Sequence, residues 1–79
     1  MKTKSLDRAN AMRFVELPVN SQAEATEGYE INGVWHWVRL CAVESDGSVL
    51  VFDDVAGHYS RIHSLTEEQK STARILAGV

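Results

Sequence analysis

Cysteine and proline are nearly missing from this chain of 79 residues, and long apolar runs are missing altogether. The single cysteine, Cys41, excludes an internal disulfide framework and a four-cysteine zinc site. No stretch approaches the roughly 20 apolar residues of a membrane span, and polar residues interrupt the first 20 positions where a secretory signal would need an apolar segment. We therefore expect a cytoplasmic protein that does not contact a membrane, and a reducing compartment suits the lone thiol.

Basic residues are scarce in the middle of the chain. Eight Lys and Arg residues oppose eleven Asp and Glu residues, which gives a net charge of −3. Residues 1–13 carry +3 and residues 59–79 carry +1, whereas residues 14–58 carry −7 and contain one cation, Arg39. Nucleic-acid binding normally requires a basic stripe that displaces counterions from phosphate. The acidic middle therefore argues against nucleic acid as a partner.

The length leaves room for one hydrophobic core, so we expect a single domain over residues 1–79 with residues 1–12 as a basic arm. A hydrophobic content of 44% supplies the core material that disordered chains lack. Each glycine is isolated, and no phosphate-binding loop, nucleophile elbow or Cys-x-x-Cys motif is present. We predict no cofactor and no metal.

Turn signals predict an antiparallel β-meander. Asn32-Gly33 separates two apolar runs and suits a type I′ hairpin turn, and Asp46-Gly47 leads into a third run at residues 49–52. Residues 14–17 favour another strand, which Pro18 ends or confines to a sheet edge. Residues 19–28 are predicted as a loop or as a short helix capped by Asn20 or Ser21, and residues 59–63 as a short further strand.

The C-terminal segment predicts a helix that begins with a capping box at Thr66 and Gln69. Its apolar stripe contains Thr72, Ala73, Leu76 and Val79, with Ile75 beside them, and a wetter side contains Glu67, Lys70 and Arg74. The predicted fold class is α+β, an antiparallel meander of three to five strands with one C-terminal helix packed on a face.

The position of Arg39 depends on the length of the second hairpin turn. A two-residue turn places Arg39 opposite Asp54, and a three-residue turn with a bulge places it opposite Asp53. We expect an ion pair that helps to set the strand register. The alternative is an arginine that a carboxylate holds in position to bind an anion.

The candidate ligand-binding residues are Arg39, Asp53, Asp54, His58 and His63. Carboxylates and imidazoles bind transition metals and act as general acids or bases, but the spacing of this set is not that of a known metal site. Asp-Asp before a bend also fits simple turn chemistry. We predict no catalytic residue, because Cys41 lies within an apolar strand where cysteine behaves as a small hydrophobe.

Trp35 and Trp37 lie on one face of the long middle strand, together with Cys41. One helix covers only one face of such a sheet, so the other apolar face needs the N-terminal segment, a ligand or a partner. We predict Trp35, Trp37 and Phe52 as interface residues. The chain is then a non-enzymatic interaction module that self-associates, with a dimer favoured, or binds a protein partner. The alternative is a small-ligand or metal-binding protein, or an enzyme, that uses the Asp/His cluster with Arg39.

Three runs resemble small uncharacterised bacterial proteins of mobile elements, of the integron gene cassette type: VWHWVR at 34–39, VFDDVAGHY at 51–59 and SLTEEQ at 64–69. The resemblance covers about residues 29–77. It implies a bacterial cytoplasmic protein, and it carries no known activity and no functional residues.

Overall fold

The computed structural model describes residues 12–61 and 64–79. It confirms the α+β class, with a five-stranded antiparallel sheet and one C-terminal helix that packs on it. The predicted basic arm lies outside the described residues except for Met12, which begins the first strand. The elements in chain order are β1 (Met12–Val19), a 3₁₀ helix (Gln22–Glu24), β2 (Glu27–Ile31), β3 (Val34–Glu44), β4 (Val49–Asp53), β5 (His58–Ser60) and α1 (Glu67–Ala77).

β3 is the central strand, and its two edges are used unequally. Val38 pairs with Pro18 of β1 and with Glu27 of β2, so β1 and β2 flank β3 on opposite edges. Ala42 pairs with β1 and with β4, so β4 lies on the same edge of β3 as β2. The consecutive pairing predicted for the three runs is confirmed. β2 and β4 lie end to end along one edge of β3, and β1 pairs with residues 37–44 along the other edge.

Both predicted hairpin turns are present. Asn32 and Gly33 have φ values of 50° and 82°, as a type I′ turn requires. The second turn has three residues, because the Glu44 N–H donates to the Ser48 carbonyl at 2.9 Å and Gly47 adopts a left-handed φ of 91°. This turn length selects the register in which position 39 of β3 stands opposite position 53.

Pro18 lies within β1 rather than at its end, and the hydrogen-bonding pattern explains why the strand tolerates it. The Thr26 N–H donates to the Val38 carbonyl at 2.8 Å, so Val38 directs its backbone groups toward the β2 edge. Pro18 is the partner of Val38 in β1, so its nitrogen faces the outer edge of the sheet. Its missing N–H therefore removes no bond to β3.

The core lies between α1 and one face of the sheet. α1 begins at the predicted capping box, in which the Gln69 N–H donates to Thr66 Oγ1 at 3.0 Å and the Thr66 N–H donates to Gln69 Oε1 at 2.9 Å. The helix contributes small side chains to a core in which every member is fully or nearly fully buried: Leu17, Cys41, Val43, Val49, Val51, Leu65, Ala73 and Ala77.

The orientation of α1 differs from the predicted apolar stripe. Ala73 and Ala77 face the sheet, whereas Ile75 is 74% exposed and Leu76 is half exposed. Arg74 does not lie on a solvated side, because its Nε donates to the Gly47 carbonyl of the β3–β4 turn at 2.7 Å. Small inward residues allow a close approach of helix to sheet, which decides the rotation of the helix about its axis. Within the described residues, no helix is long and apolar enough to cross a membrane.

Aromatic side chains cover part of the opposite face of the sheet. The Tyr59 ring lies 5.5 Å from Phe14 and 5.2 Å from Phe52, measured between ring centroids. Ala42 lies on the same face and is fully buried. The chain therefore buries part of the face for which the sequence predicts an external cover.

Candidate binding sites

Three of the predicted ligand-binding residues line one pocket. Arg39, Asp53 and Asp54 meet the segment from Ala23 to Thr26 around a cavity of about 220 Å³. His58 is exposed on β5 and does not line this cavity, and its Nδ1 lies 3.1 Å from the Tyr59 carbonyl oxygen. His63 lies outside the described residues.

The pocket occupies a gap in the sheet. Along one edge of β3, pairing with β2 ends at Val38 and pairing with β4 begins at Cys41. Thr26 fills part of the gap: its N–H donates to the Val38 carbonyl, and its Oγ1 accepts from the Leu40 N–H at 3.1 Å. Arg39 stands at this interruption on the α1 face of β3, so its side chain enters the space that a continuous neighbouring strand would close.

The predicted ion pair of Arg39 is not formed, although the turn has three residues, which is one of the two predicted lengths. Asp53 Oδ1 instead accepts the backbone N–H groups of Val55 and Ala56 at 3.0 and 3.1 Å. Among the described residues, the Arg39 side chain forms neither an ion pair nor a hydrogen bond. β3 and β4 cease to pair at Cys41 and Val51, before they reach these two positions. Register alone therefore does not bring the two charges into contact.

Glu24 is a residue of this pocket that the sequence reasoning missed. Its carboxylate accepts from Ser21 Oγ at 3.4 Å and from Gln69 Nε2 at 3.3 Å. The spacing of Ser21 and Glu24 indicates a short helical turn, which was one of the two predictions for this segment. The approach of Glu24 to Arg39 and Gln69 depends on packing between residues far apart in the chain, and the sequence has no local signal for such packing.

The described residues supply neither a metal centre nor an activated thiol. In residues 12–61 and 64–79, no group of three or more His, Cys, Asp or Glu side chains is placed to hold a metal ion. Cys41 is fully buried, as predicted. Burial raises the pKa of its thiol to about 11, and the opposing effect of Arg39 is smaller. At neutral pH Cys41 is therefore a protonated, apolar core residue.

The two tryptophans form a packed pair on the β2–β3 hairpin. The ring centroids of Trp35 and Trp37 lie 5.3 Å apart at an interplanar angle of 76°. Gly28, the partner of Trp37 in β2, leaves room for both rings. A Cβ atom at this position would lie 2.7 Å from Trp37 Cε3 and 2.8 Å from Trp35 Cζ2. The indoles thus pack against each other and against the β2 backbone at Gly28.

Phe52, the third predicted interface residue, lies on the opposite face of the sheet from the two tryptophans. Trp35 and Trp37 lie on the face of β3 that carries Cys41, the α1 face. Phe52 follows the core residue Val51 in β4, so it lies on the other face, where it packs against Tyr59. A single flat contact cannot include all three aromatic residues.

The tip of the hairpin exposes apolar side chains on both of its faces. Within the described part of the chain, Val34, Trp35 and His36 pair only with β2, since β1 pairs from Trp37 onward. Trp35 is 53% exposed on one face, and Ile31 and Val34 are about equally exposed on the other. We call Ile31, Val34, Trp35 and Trp37 the hairpin surface.

No protein-family model matches this chain, and comparisons with curated proteins and with solved structures found no match. The resemblance to proteins of bacterial mobile elements therefore stays a prediction.

Proposed function

We propose that this chain is a non-enzymatic interaction module that binds protein through the hairpin surface, with a second copy of the chain as its partner. The observation that carries the proposal is the position of Trp35. Its indole is half exposed, yet it packs against Trp37 and lies close to the backbone at Gly28. Exposed, rigid tryptophans are typical of the residues that dominate binding energy at protein interfaces.

Preorganisation supports this role. A side chain that becomes ordered on binding loses about 0.5–1.5 kcal/mol of conformational free energy. The contacts of Trp35 with Trp37 and its close approach to Gly28 restrict the indole in the free chain. Trp35 therefore retains more of its burial energy when it meets a partner than a freely rotating side chain would.

The apolar residues on both faces of the hairpin favour a partner that wraps around it. Trp35 is on one face and Ile31 and Val34 are on the other, and neither β1 nor β4 reaches this part of β3. Two copies related by a two-fold axis present the same hairpin to each other, so one interface buries apolar hairpin surface on both copies. Four apolar side chains clustered on one hairpin favour association in water, because a partner buries their exposed surface.

The expected affinity is modest. Standard protein interfaces bury about 800 Å² on each partner, which is more than the exposed parts of four side chains provide. We therefore expect self-association with a dissociation constant in the range of about 10–500 μM.

Sedimentation velocity over a range of about 5 μM to 1 mM tests the proposal. The wild-type chain is expected to shift toward a dimer, and Trp35→Ala to weaken the dimer about tenfold or more. Ile75→Ala is the matched control, because Ile75 is an even more exposed apolar residue on α1, away from the hairpin. A monomeric wild type throughout this range would show that self-association is wrong. Equal effects of the two substitutions would show that the hairpin surface is not the interface.

A further inference from the structure

Arg39 is an unusual member of its pocket because its charge is not neutralised by a contact. The pocket contains Arg39 and three carboxylates, those of Glu24, Asp53 and Asp54, yet no described carboxylate oxygen lies within 4.0 Å of the guanidinium nitrogens. Arg39 is also the single cation between residues 14 and 58. Arg39 is a partly buried residue, and its guanidinium has five N–H donors with no acceptor among the described residues, so it suits an acceptor from outside the chain.

Two of the three carboxylates are held away from Arg39 by other contacts. Asp53 Oδ1 accepts two backbone N–H groups of its own turn, and Glu24 accepts from Ser21 and Gln69. These contacts position both carboxylates before any ligand arrives. Each keeps free lone pairs, because an ionised carboxylate has about four acceptor sites.

We propose that this pocket binds a compact zwitterion, a small molecule that carries one carboxylate and one ammonium group. The ligand carboxylate pairs with the Arg39 guanidinium, and the ligand ammonium pairs with the carboxylates of Glu24, Asp53 and Asp54. Free amino acids are the simplest members of this chemical class. The proposal is independent of self-association, because it uses none of the residues of the hairpin surface.

Charge excludes the simpler ligand classes. Three carboxylates around one guanidinium give the pocket a net negative charge, which repels a plain anion. A plain cation contacts the carboxylates but leaves the donors of Arg39 unused and adds a like charge beside it. A zwitterion satisfies both signs, because its two charged groups match the two kinds of side chain.

The size of the cavity limits the ligand further. Its volume of about 220 Å³ lies below the roughly 300–1,000 Å³ of pockets that hold drug-sized molecules. The pocket is also open to solvent on the side of the exposed Asp54. We therefore expect a ligand of few atoms, with a dissociation constant in the millimolar range of about 0.5–10 mM.

A panel of four-carbon probes measures the contributions of the ligand carboxylate and the ligand ammonium group separately. Amide chemical shifts of ¹⁵N-labelled protein are recorded against 2-aminobutyrate, 4-aminobutyrate, butyrate and butylamine. At least one aminobutyrate is expected to shift the amides of Ala25, Thr26 and Arg39 in a saturable manner, and to bind about tenfold more tightly than butyrate or butylamine. The two aminobutyrates differ in the separation of their charges, so their ranking reports the distance that the pocket spans.

Substitutions in the pocket test which side chain pairs with which charge of the ligand. Arg39→Met is expected to abolish the preference of the pocket for aminobutyrate over butylamine. Glu24→Gln is expected to weaken the binding of aminobutyrate. Arg61→Met is the matched control, because Arg61 pairs with Glu44 outside this pocket. The proposal is overturned if no probe gives localised, saturable shifts in the wild type. It is equally overturned if butylamine binds as tightly as both aminobutyrates, since the pocket would then be only an acidic patch. Both outcomes are read on the wild-type chain and do not depend on how well a variant folds.

Discussion

The rings of Phe14 and Tyr59 lie 5.5 Å apart, although their strands are the two ends of the path β1-β3-β4-β5. Three strand spacings in a flat sheet separate such strands by about 14 Å. The sheet therefore curls, and the two side chains lean toward each other over the strands between them. Ala42, which pairs with Phe14 across β1 and β3, is fully buried on this face. The curl lets these rings cover part of a face predicted to need a partner, although Phe14 itself stays 64% exposed.

Enlarging the residue beneath these aromatic rings should destabilise the protein. Ala42→Leu adds three carbon atoms at a fully buried position on the face of Phe14 and Tyr59, and should lower the free energy of unfolding by about 1–3 kcal/mol. Urea denaturation measures the change. Ala56→Leu is the control, because Ala56 is exposed in the β4–β5 turn and should change the stability by less than about 0.5 kcal/mol. Equal stability of wild type and Ala42→Leu would contradict the close packing around Ala42 on this face.

A methyl group at position 28 should displace the tryptophan pair. Gly28→Ala places a Cβ atom 2.7 Å from Trp37 and 2.8 Å from Trp35, so the rings must move apart. We expect an altered near-ultraviolet circular dichroism spectrum, a loss of about 1–2 kcal/mol of stability and weaker self-association. Gly57→Ala is the comparison, because its left-handed φ of 79° strains the backbone while no atom lies near its Cβ. Its tryptophan spectrum should not change. An unaltered spectrum in Gly28→Ala would refute the packing of the two indoles on Gly28.

The thiol of Cys41 should make stability depend on pH in alkaline solution. Burial raises its pKa from an ordinary value of 9.0 to about 11. The unfolded chain loses this proton first, so the stabilising contribution is complete below about pH 9 and falls as the pH rises from about 9 to about 11.

Comparison with Cys41→Ala isolates this effect, because the tyrosines and lysines titrate in both proteins. The wild-type advantage in free energy of unfolding should shrink by about 2 kcal/mol between about pH 8 and pH 11. Guanidinium denaturation at each pH gives the difference. An advantage that stays constant over this range would mean that the folded thiol ionises as readily as the unfolded one.

Arg74 should stabilise the protein through a hydrogen bond rather than through charge pairing. Its Nε donates to the Gly47 carbonyl at 2.7 Å and ties α1 to the β3–β4 turn. Arg74→Met should cost about 0.5–1.5 kcal/mol and should do so nearly equally at low and high salt. Arg61→Met removes an ion pair with Glu44 in which Arg61 is 60% exposed, so its smaller cost should fade at high salt. Thermal unfolding at about 0.05 M and 1 M NaCl distinguishes the two cases. The same salt dependence for both variants would contradict the assignment.

The pocket shows how far sequence reasoning reached at the candidate site. It selected Arg39, Asp53 and Asp54 from their residue types, and these three line one cavity. It also expected an ion pair that is not formed, because register describes backbone pairing and β3 and β4 separate before those positions. Glu24 was missed because its chain segment reaches the pocket through Thr26 and Gln69, which are contacts without a sequence motif.

Local chemistry determined much of this protein in advance. The Asn32-Gly33 turn, the presence of a turn at Asp46-Gly47 and the capping box of Thr66 each depend on residues within a few positions of one another. Backbone conformation at glycine and asparagine, and hydrogen bonds between near neighbours, are properties of short segments, so they can be read from the sequence alone.

The tertiary structure determined the strand arrangement, the helix orientation and the aromatic contacts, which the composition of the chain did not predict. The scarcity of cysteine excluded a disulfide framework, and the length indicated a small domain with one apolar core. Neither indicated that β1 pairs with β3 on the edge opposite β2 and β4, that alanines rather than Ile75 face the sheet, or that Phe14 meets Tyr59. These features depend on the summed packing of residues far apart in the chain. Because many arrangements satisfy the same local pattern, only the burial of the complete set selects one.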